Sequence, residues 1–197
     1  MNARETILAA VRKTSATRAE RGAYTPPAFA NLGETFTAQA QESHASVHAL
    51  ASPADIPAAI ARILEASNAR RRLHLAEGSP LRQLDWKTAP LLEMTTAPPT
   101  GEDTACAEAD GGIAETGTIA FVSGSARPSS WHFLPGREII VLTRAKLVGT
   151  LEEFLARLGP MPSTLNLVTG PSRTGDIEQA MERGAHGPRD IHILLLP

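Results

Sequence analysis

The segment Thr164-Leu165-Asn166-Leu167-Val168-Thr169-Gly170-Pro171-Ser172-Arg173-Thr174-Gly175-Asp176-Ile177-Glu178 passes from an apolar, β-branched run through a glycine-proline turn into a charged stretch. Residues 164–168 have the length and composition of a buried strand, and residues 174–183 are expected to continue as a helix. Working outward, residues 191–196, 138–142 and 117–122 are further apolar runs of strand length, and residues 147–158 carry a helical pattern. Strand, helix, strand, helix, strand is the order produced by parallel pairing with helices packed on the faces. The expected class is therefore α/β, a three-layer α/β/α sandwich around a mostly parallel sheet. An antiparallel turn between 117–122 and 138–142 would make that sheet mixed. Ligands meet open sheets of this kind at strand ends, so the turns at strand ends are where chemistry is sought.

Toward the amino terminus the pattern is weaker. Ile7, Leu8 and Val11 recur at helical spacing opposite Arg4, Glu5, Arg12 and Lys13, and the amphipathic helix they predict runs into Gly22-Ala23-Tyr24-Thr25-Pro26-Pro27, where paired prolines favour an extended linker. Residues 1–30 are read as a helix and linker arm, and residues 31–197 as the α/β domain. Within the latter, a polar helix is expected over 33–44 and a strand over 46–50. Ser52-Pro53-Ala54-Asp55 then opens a helix whose buried stripe is Ile56, Ile60, Ile63 and Leu64. Strands over 72–76 and 90–94 precede a loop over 96–101.

Composition narrows the function. A chain of 197 residues, 42% hydrophobic and 20% charged, buries one substantial core. A net charge of −2 provides no basic field to collect nucleic acid, and the one dense basic run, Arg70-Arg71-Arg72, is expected as a solvated turn. Cys106 is a single thiol, so this chain alone supplies neither a disulfide nor the thiolate cage of an iron–sulfur cluster. With no apolar stretch long enough to span a bilayer and no signal-like leader, a cytoplasmic location is expected.

Two turns concentrate polar side chains. At the first, Gly170 lets the backbone approach closely, Ser172, Arg173 and Thr174 supply hydroxyls and a cation, and the amides of the expected helix would face an anion. Against a ligand role, Asp176 and Glu178 would sit in the first helical turn, where they complement the helix dipole and repel phosphate, and Thr174 or Ser172 would serve as the cap. At the second, Asp110-Gly111-Gly112 is expected as a tight turn before Glu115-Thr116-Gly117-Thr118. Glu115, held beside a glycine and two hydroxyls and tuned by Asp110, has the attributes of a nucleophile or general base, although the same residues also saturate amides in ordinary turns. A right-handed strand–helix–strand unit would place His186 at the opposite end of the sheet from Ser172. That separation, with the lack of a Gly-x-Ser-x-Gly elbow, argues against a serine hydrolase. No Walker loop or Gly-x-Gly-x-x-Gly fingerprint occurs, and His44, His48, His74, His132 and His192 lack a metal-binding pattern. Trp131 and Phe133 are expected in the core or on a pocket wall.

Taken together, Asp110, Ile113-Ala114-Glu115-Thr116-Gly117-Thr118, Phe133-Leu134-Pro135, the run from Asn166 to Glu178 and Gly184-Ala185-His186-Gly187-Pro188 resemble the LUD-domain family, the lactate-utilisation proteins of LutC/YkgG type. The resemblance covers roughly residues 104–197. Two features depart from the family: Ser129 stands where an arginine is usual, with Arg127 two positions earlier and His132 in place of a serine, and the connection from Lys146 to Thr164 is shorter than is usual. The resemblance implies a fold similar to the NagB/RpiA/CoA-transferase-like superfamily. It further implies a role in oxidising L-lactate beside partner proteins that carry iron–sulfur clusters, this chain binding no cofactor by itself. On that basis the chain is expected to be a non-cluster accessory subunit binding a small anion or a partner at a strand-end crevice. Asp110, Thr116, Gly117, Thr118, Gly170, Ser172, Arg173 and Asp176 are its candidate binding residues, Glu115 its candidate catalytic residue, and His186 a further motif residue. The alternative is a stand-alone enzyme acting on a carboxylate, CoA ester or sugar phosphate, with Glu115 as nucleophile or base.

Overall fold

A computed structural model of the chain describes residues 2–14, 25–124, 127–177, 180–184 and 186–197, and of residues 13–14, 174–177 and 180–183 the backbone alone. Gly22-Ala23-Tyr24, Glu178 and Ala185, named above, lie outside the described residues.

Two apolar strands dominate the core. β7 (Arg137–Thr143) and β12 (Asp190–Leu196) pair in parallel along their whole length, with Ile139 opposite His192 and Leu142 opposite Leu195. Because side chains alternate along a strand, Ile139, Val141, Leu194 and Leu196 enter one cluster, whereas Ile140, Leu142, Ile193 and Leu195 enter another. A strand buried on both faces is apolar along most of its length, which explains why these two runs carry the clearest sequence signal. Around them lie β1 (Ser46–Ala49), β4 (Thr104–Glu108), β2 (Arg72–Leu75) and β3 (Glu93–Thr95), giving an all-parallel sheet of order β1-β12-β7-β4-β2-β3. β3 starts three residues later than the sequence pattern indicates.

Helix α3 (Ile56–Ala66) covers the first face with Ile56, Ile60, Ile63 and Leu64, after a turn in which Ser52 N donates to Asp55 Oδ2 at 2.9 Å. Helix α2 (Leu32–Glu42) lies on the other face, capped by Asn31, whose side chain accepts from Gly33 N and Glu34 N. Beside α2 on that face stands a second sheet of order β8-β5-β6-β9, formed by β8 (Leu147–Val148), β5 (Gly111–Ile113), β6 (Thr118–Val122) and β9 (Leu165–Val168). Helix α4 (Leu151–Leu158) backs this sheet through Phe154, packed with Ile113, Ala120 and Val148. Helix α1 (Ala3–Thr14) exposes Ile7, Leu8 and Val11. The expected α/β class and mostly parallel sheet are those observed.

Four local expectations are corrected. Asp110-Gly111-Gly112 is no tight turn: Ala109 N bonds to Val141 O in the first sheet and Asp110 N to Ala120 O in the second, so the chain crosses directly from β4 into β5. Residues 147–158 form a short strand and then a helix, because Thr150 caps α4 by accepting from Glu153 N and leaves Leu147 and Val148 to pair with Gly112 and Ile113. β9 joins the second sheet, antiparallel to β6, rather than the parallel one. Finally, the helix expected over 174–183 is a hairpin of β10 (Arg173–Ile177) and β11 (Ala180–Arg183), with Arg173 opposite Arg183 and Ile177 opposite Ala180. Thr174, Gly175 and Asp176 are poor helix formers at its start, and Thr174 pairs with Glu182 instead, with a register shift before Ile177.

Candidate functional site

The hairpin reshapes the surroundings of Ser172. After β9 the chain turns through Gly170 with φ +68°, where a Cβ would fall 1.9 Å from Ser43 O at the end of α2. Gly170 is thus required by the left-handed backbone and by the close approach of α2, not by a ligand. β10 leaves at Arg173 and β11 brings the chain back, so the expected array of helical amides facing an anion does not exist. Ser172 N donates to Pro188 O at 2.8 Å, Gly184 N to Ser172 O at 3.0 Å, and His186 N to Ser172 Oγ at 3.4 Å. Ser172 and His186 are therefore neighbours, contrary to the separation expected from a strand–helix–strand unit. A hairpin returns the chain to its starting point; a crossover helix would have carried it to the far end of the sheet.

Between these segments lies an open cleft of about 520 Å³, lined among others by Ser43, His132, Phe133, Ser172, Arg173 and His186. Ser43 precedes β1 and Ile191, which also lines the cleft, is the second residue of β12, so the cleft opens at the amino-terminal edge of the parallel strands. The usual site in open α/β sheets is the opposite edge. Here the approach is made by the second sheet and its hairpin, which wall off the amino-terminal side.

The other candidate residues fall into a different set of contacts. Thr116 Oγ1, Thr118 Oγ1 and Thr169 Oγ1 form a ladder of hydroxyls with spacings of 2.6 and 2.7 Å across the β6–β9 edge, connecting the two polar turns. Gly117, with φ +66°, would place a Cβ 2.2 Å from Ala40 N, so it too permits α2 to pack closely. Glu115 is half-buried, its amide donates to Gly149 O at 3.0 Å, and it is not among the residues lining the cleft. Asp110 accepts from Val122 N at 2.7 Å and from Arg127 Nη2 at 3.1 Å, which ties the sheet crossing to the following loop and gives the Arg127 guanidinium its partner. Asp176 lies on β10, and its side chain is outside the described part of the structure. The structure thus brings Gly170, Ser172, Arg173 and His186 to one cleft and leaves Glu115 and Asp110 apart from it.

Sequence reasoning missed one pair at the cleft. His132, 4% exposed, lines the cavity, and its Nδ1 lies 2.5 Å from Oε1 of Glu138, which is completely buried. The ring of Phe121 stacks on His132 with centroids 3.8 Å apart. Burial pushes the Glu138 carboxyl up, and the bond from His132 works against that shift. The available signal was Glu138 itself, an ionisable residue at the head of an otherwise apolar central run, because a charge is seldom buried there without a partner.

Comparison with known proteins adds the following. Residues 102–196 match the LUD domain. An uncharacterised protein of Neisseria meningitidis is 34% identical over 90 residues, covering 43% of this chain and 38% of that protein. Lactate utilization protein C of Geobacillus kaustophilus is 33% identical over 83 residues, covering 39% and 35% respectively. Uncharacterized protein YkgG of Escherichia coli is 30% identical over 87 residues, covering 41% and 38%. In each case the match spans less than two fifths of the relative's own length. The crystal structure of a DUF162 family protein from Deinococcus radiodurans superposes with a TM-score of 0.63 at 23% identity, covering 87% of this chain and all of that one, and shows the same fold.

Proposed function

Because the chain belongs to the LUD domain family, of LutC/YkgG type, we propose that it is a component of a lactate-utilisation system, and that its cleft binds a small carboxylate. The observation that carries this reading is the cleft itself, whose walls present the Ser172 hydroxyl, the Arg173 cation and the imidazoles of His132 and His186. Donors and positive charge converging on a pocket of this size suit a compact anion. In this reading the chain works in the cytoplasm as a non-cluster subunit. Its single cysteine cannot ligate an iron–sulfur cluster unaided, so the electrons of lactate oxidation are carried by partner proteins that hold such clusters.

A clean deletion in the source organism is expected to abolish growth on L-lactate as sole carbon source, with recovery when the wild-type chain is supplied. Iron–sulfur proteins identifiable by their visible absorbance are expected to co-purify with the tagged chain. Undiminished growth on L-lactate after deletion would refute the assignment.

A further inference from the structure

His132 stands between two spaces, the open cleft on one side and a small enclosed cavity on the other, lined by Phe121, Trp131 and Cys106 among others. Its ring plane is fixed twice over, by the Phe121 stack and by the 2.5 Å contact to Glu138. An N···O separation that short contains a proton, so Nδ1 is committed to the carboxylate. Nε2 is the remaining polar atom of a ring that lines both the cleft and the inner cavity. Glu138 Oε2 is buried without a hydrogen-bond partner among the described residues. Such a pair, anchored on a central strand and ending in a second ring nitrogen beside a cavity, is costly to bury.

We propose that His132 is the anion-recognising residue of the cleft and that Glu138 positions it, Nε2–H donating to the carboxylate of the ligand. This rests on the carboxylate-binding reading given above. With a proton on both ring nitrogens, or with one shared toward Glu138 and one on Nε2, the pair is neutral overall and Nε2–H is a donor. Once the Nε2 proton is lost, the pair carries one negative charge and a lone pair faces the ligand. A carboxylate therefore selects the protonated state, and its binding takes up as much as one proton. The other ionisable groups that face this position are Arg173 and His186 across the cleft, and Glu108, Arg127 and the Cys106 thiol around the inner cavity. Burial pushes the Cys106 thiol up, so it adds no negative charge beside the ring near neutrality; the Glu108 carboxyl is also pushed up by burial, with Lys146 and Arg127 opposing the shift.

The test is calorimetric titration of the full chain with sodium pyruvate and with sodium L-lactate, in buffers of different ionisation enthalpy. Both ligands stay ionised over the range, so any linked proton belongs to the protein. Affinity is expected to fall about tenfold or more as pH rises, with net proton uptake on binding, and the ¹⁵N resonances of the His132 ring should move on ligand addition. In His132→Gln the pH dependence and the proton uptake disappear; in Glu138→Gln they weaken. Carboxylate binding without proton uptake, or with the wild-type pH profile retained in His132→Gln, overturns this assignment and leaves the carboxylate reading standing. Absence of binding by either ligand to the wild-type chain at any pH overturns both.

Discussion

At Gly170 and Gly117 the backbone adopts φ of +68° and +66°, and a Cβ would meet backbone atoms of Ser43 and Ala40 at 1.9 and 2.2 Å. Neither the torsion nor the contact can relax cheaply, since the obstruction is main chain rather than a flexible side chain. Gly170→Ala is expected to lose about 2 kcal/mol or more in urea denaturation, whereas Gly101→Ala, with nothing within 4 Å, should change stability little. An equal effect at both positions would contradict the close packing of α2. Glu138 provides a second residue-scale test. Glu138→Ala leaves His132 buried without its partner and should cost about 3–5 kcal/mol, while Glu138→Gln keeps one hydrogen bond and should cost much less. Thermal or chemical unfolding of the two variants separates these outcomes. The sequence made Ser172, Arg173 and His186 legible as polar punctuation beside apolar runs. It did not show that His132 and Glu138 meet, because six residues separate them across the end of a 3₁₀ turn and the entry of β7, a relation that no helical or strand period encodes.

Elements were legible in proportion to how completely burial dictated their pattern. β7 and β12, central and covered on both faces, were found almost to the residue, as was α3 with its proline-opened start. Elements in the second sheet were harder, because its strands are short and one of them, β5, follows almost directly from β4 of the first. Gly111 and Gly112 signal a turn in isolation, yet in β5 they are glycines because Phe154 of α4 lies on one face and Leu147, Leu142 and Phe36 lie on the other. The hairpin of β10 and β11 was the largest miss: Thr174, Gly175 and Asp176 disfavour a helix there, but only pairing with a partner strand shows what replaces it. The small cluster under α4 yields a prediction at this scale. Phe154, 5% exposed, is the largest side chain joining α4 to Ile113, Ala120 and Val148. Phe154→Ala should cost about 3–4 kcal/mol and accelerate hydrogen exchange in α4 and β5 well before it affects β7 or β12. Uniform acceleration across both sheets would mean that the second sheet is not an independently yielding layer.

Across the whole molecule, ionisable groups are distributed along the parallel sheet in a way that sets its response to acid. His48 and His192, on neighbouring β1 and β12, stack with their nitrogens 3.2 Å apart. Burial above all, then the charges of His48 and Arg137, push His192 down to about 4, with Asp190 opposing the shift. In the unfolded chain the same imidazole titrates near ~6.5. Its contribution to stability is therefore present above about pH 6.5 and is lost as pH falls toward about 4, because the unfolded state binds the proton first. Asp103 acts in the same direction at lower pH: burial raises its carboxyl, but the Thr100 hydroxyl and amide and the charges of His74 and Arg70 outweigh that and hold it below the ordinary carboxylate range. Glu138 opposes them, since a carboxyl raised by burial is held protonated more firmly in the native state and its cost grows as pH rises. His192 and His48, both held down, weaken the fold as pH falls through the histidine range, and Asp103 does so below it, while the raised carboxyls of Glu138 and Glu108 act in the opposite sense. His192→Gln should remove the upper part of that loss, so that between about pH 6.5 and about 4 the variant loses about 1–2 kcal/mol less than wild type, a figure already reduced for the partial exposure of the ring. Urea denaturation at half-unit pH intervals reads this directly. Parallel curves for the two proteins would show that the histidine pair is not what the sheet senses, and would shift the acid response to Asp103 and its Thr100 contacts.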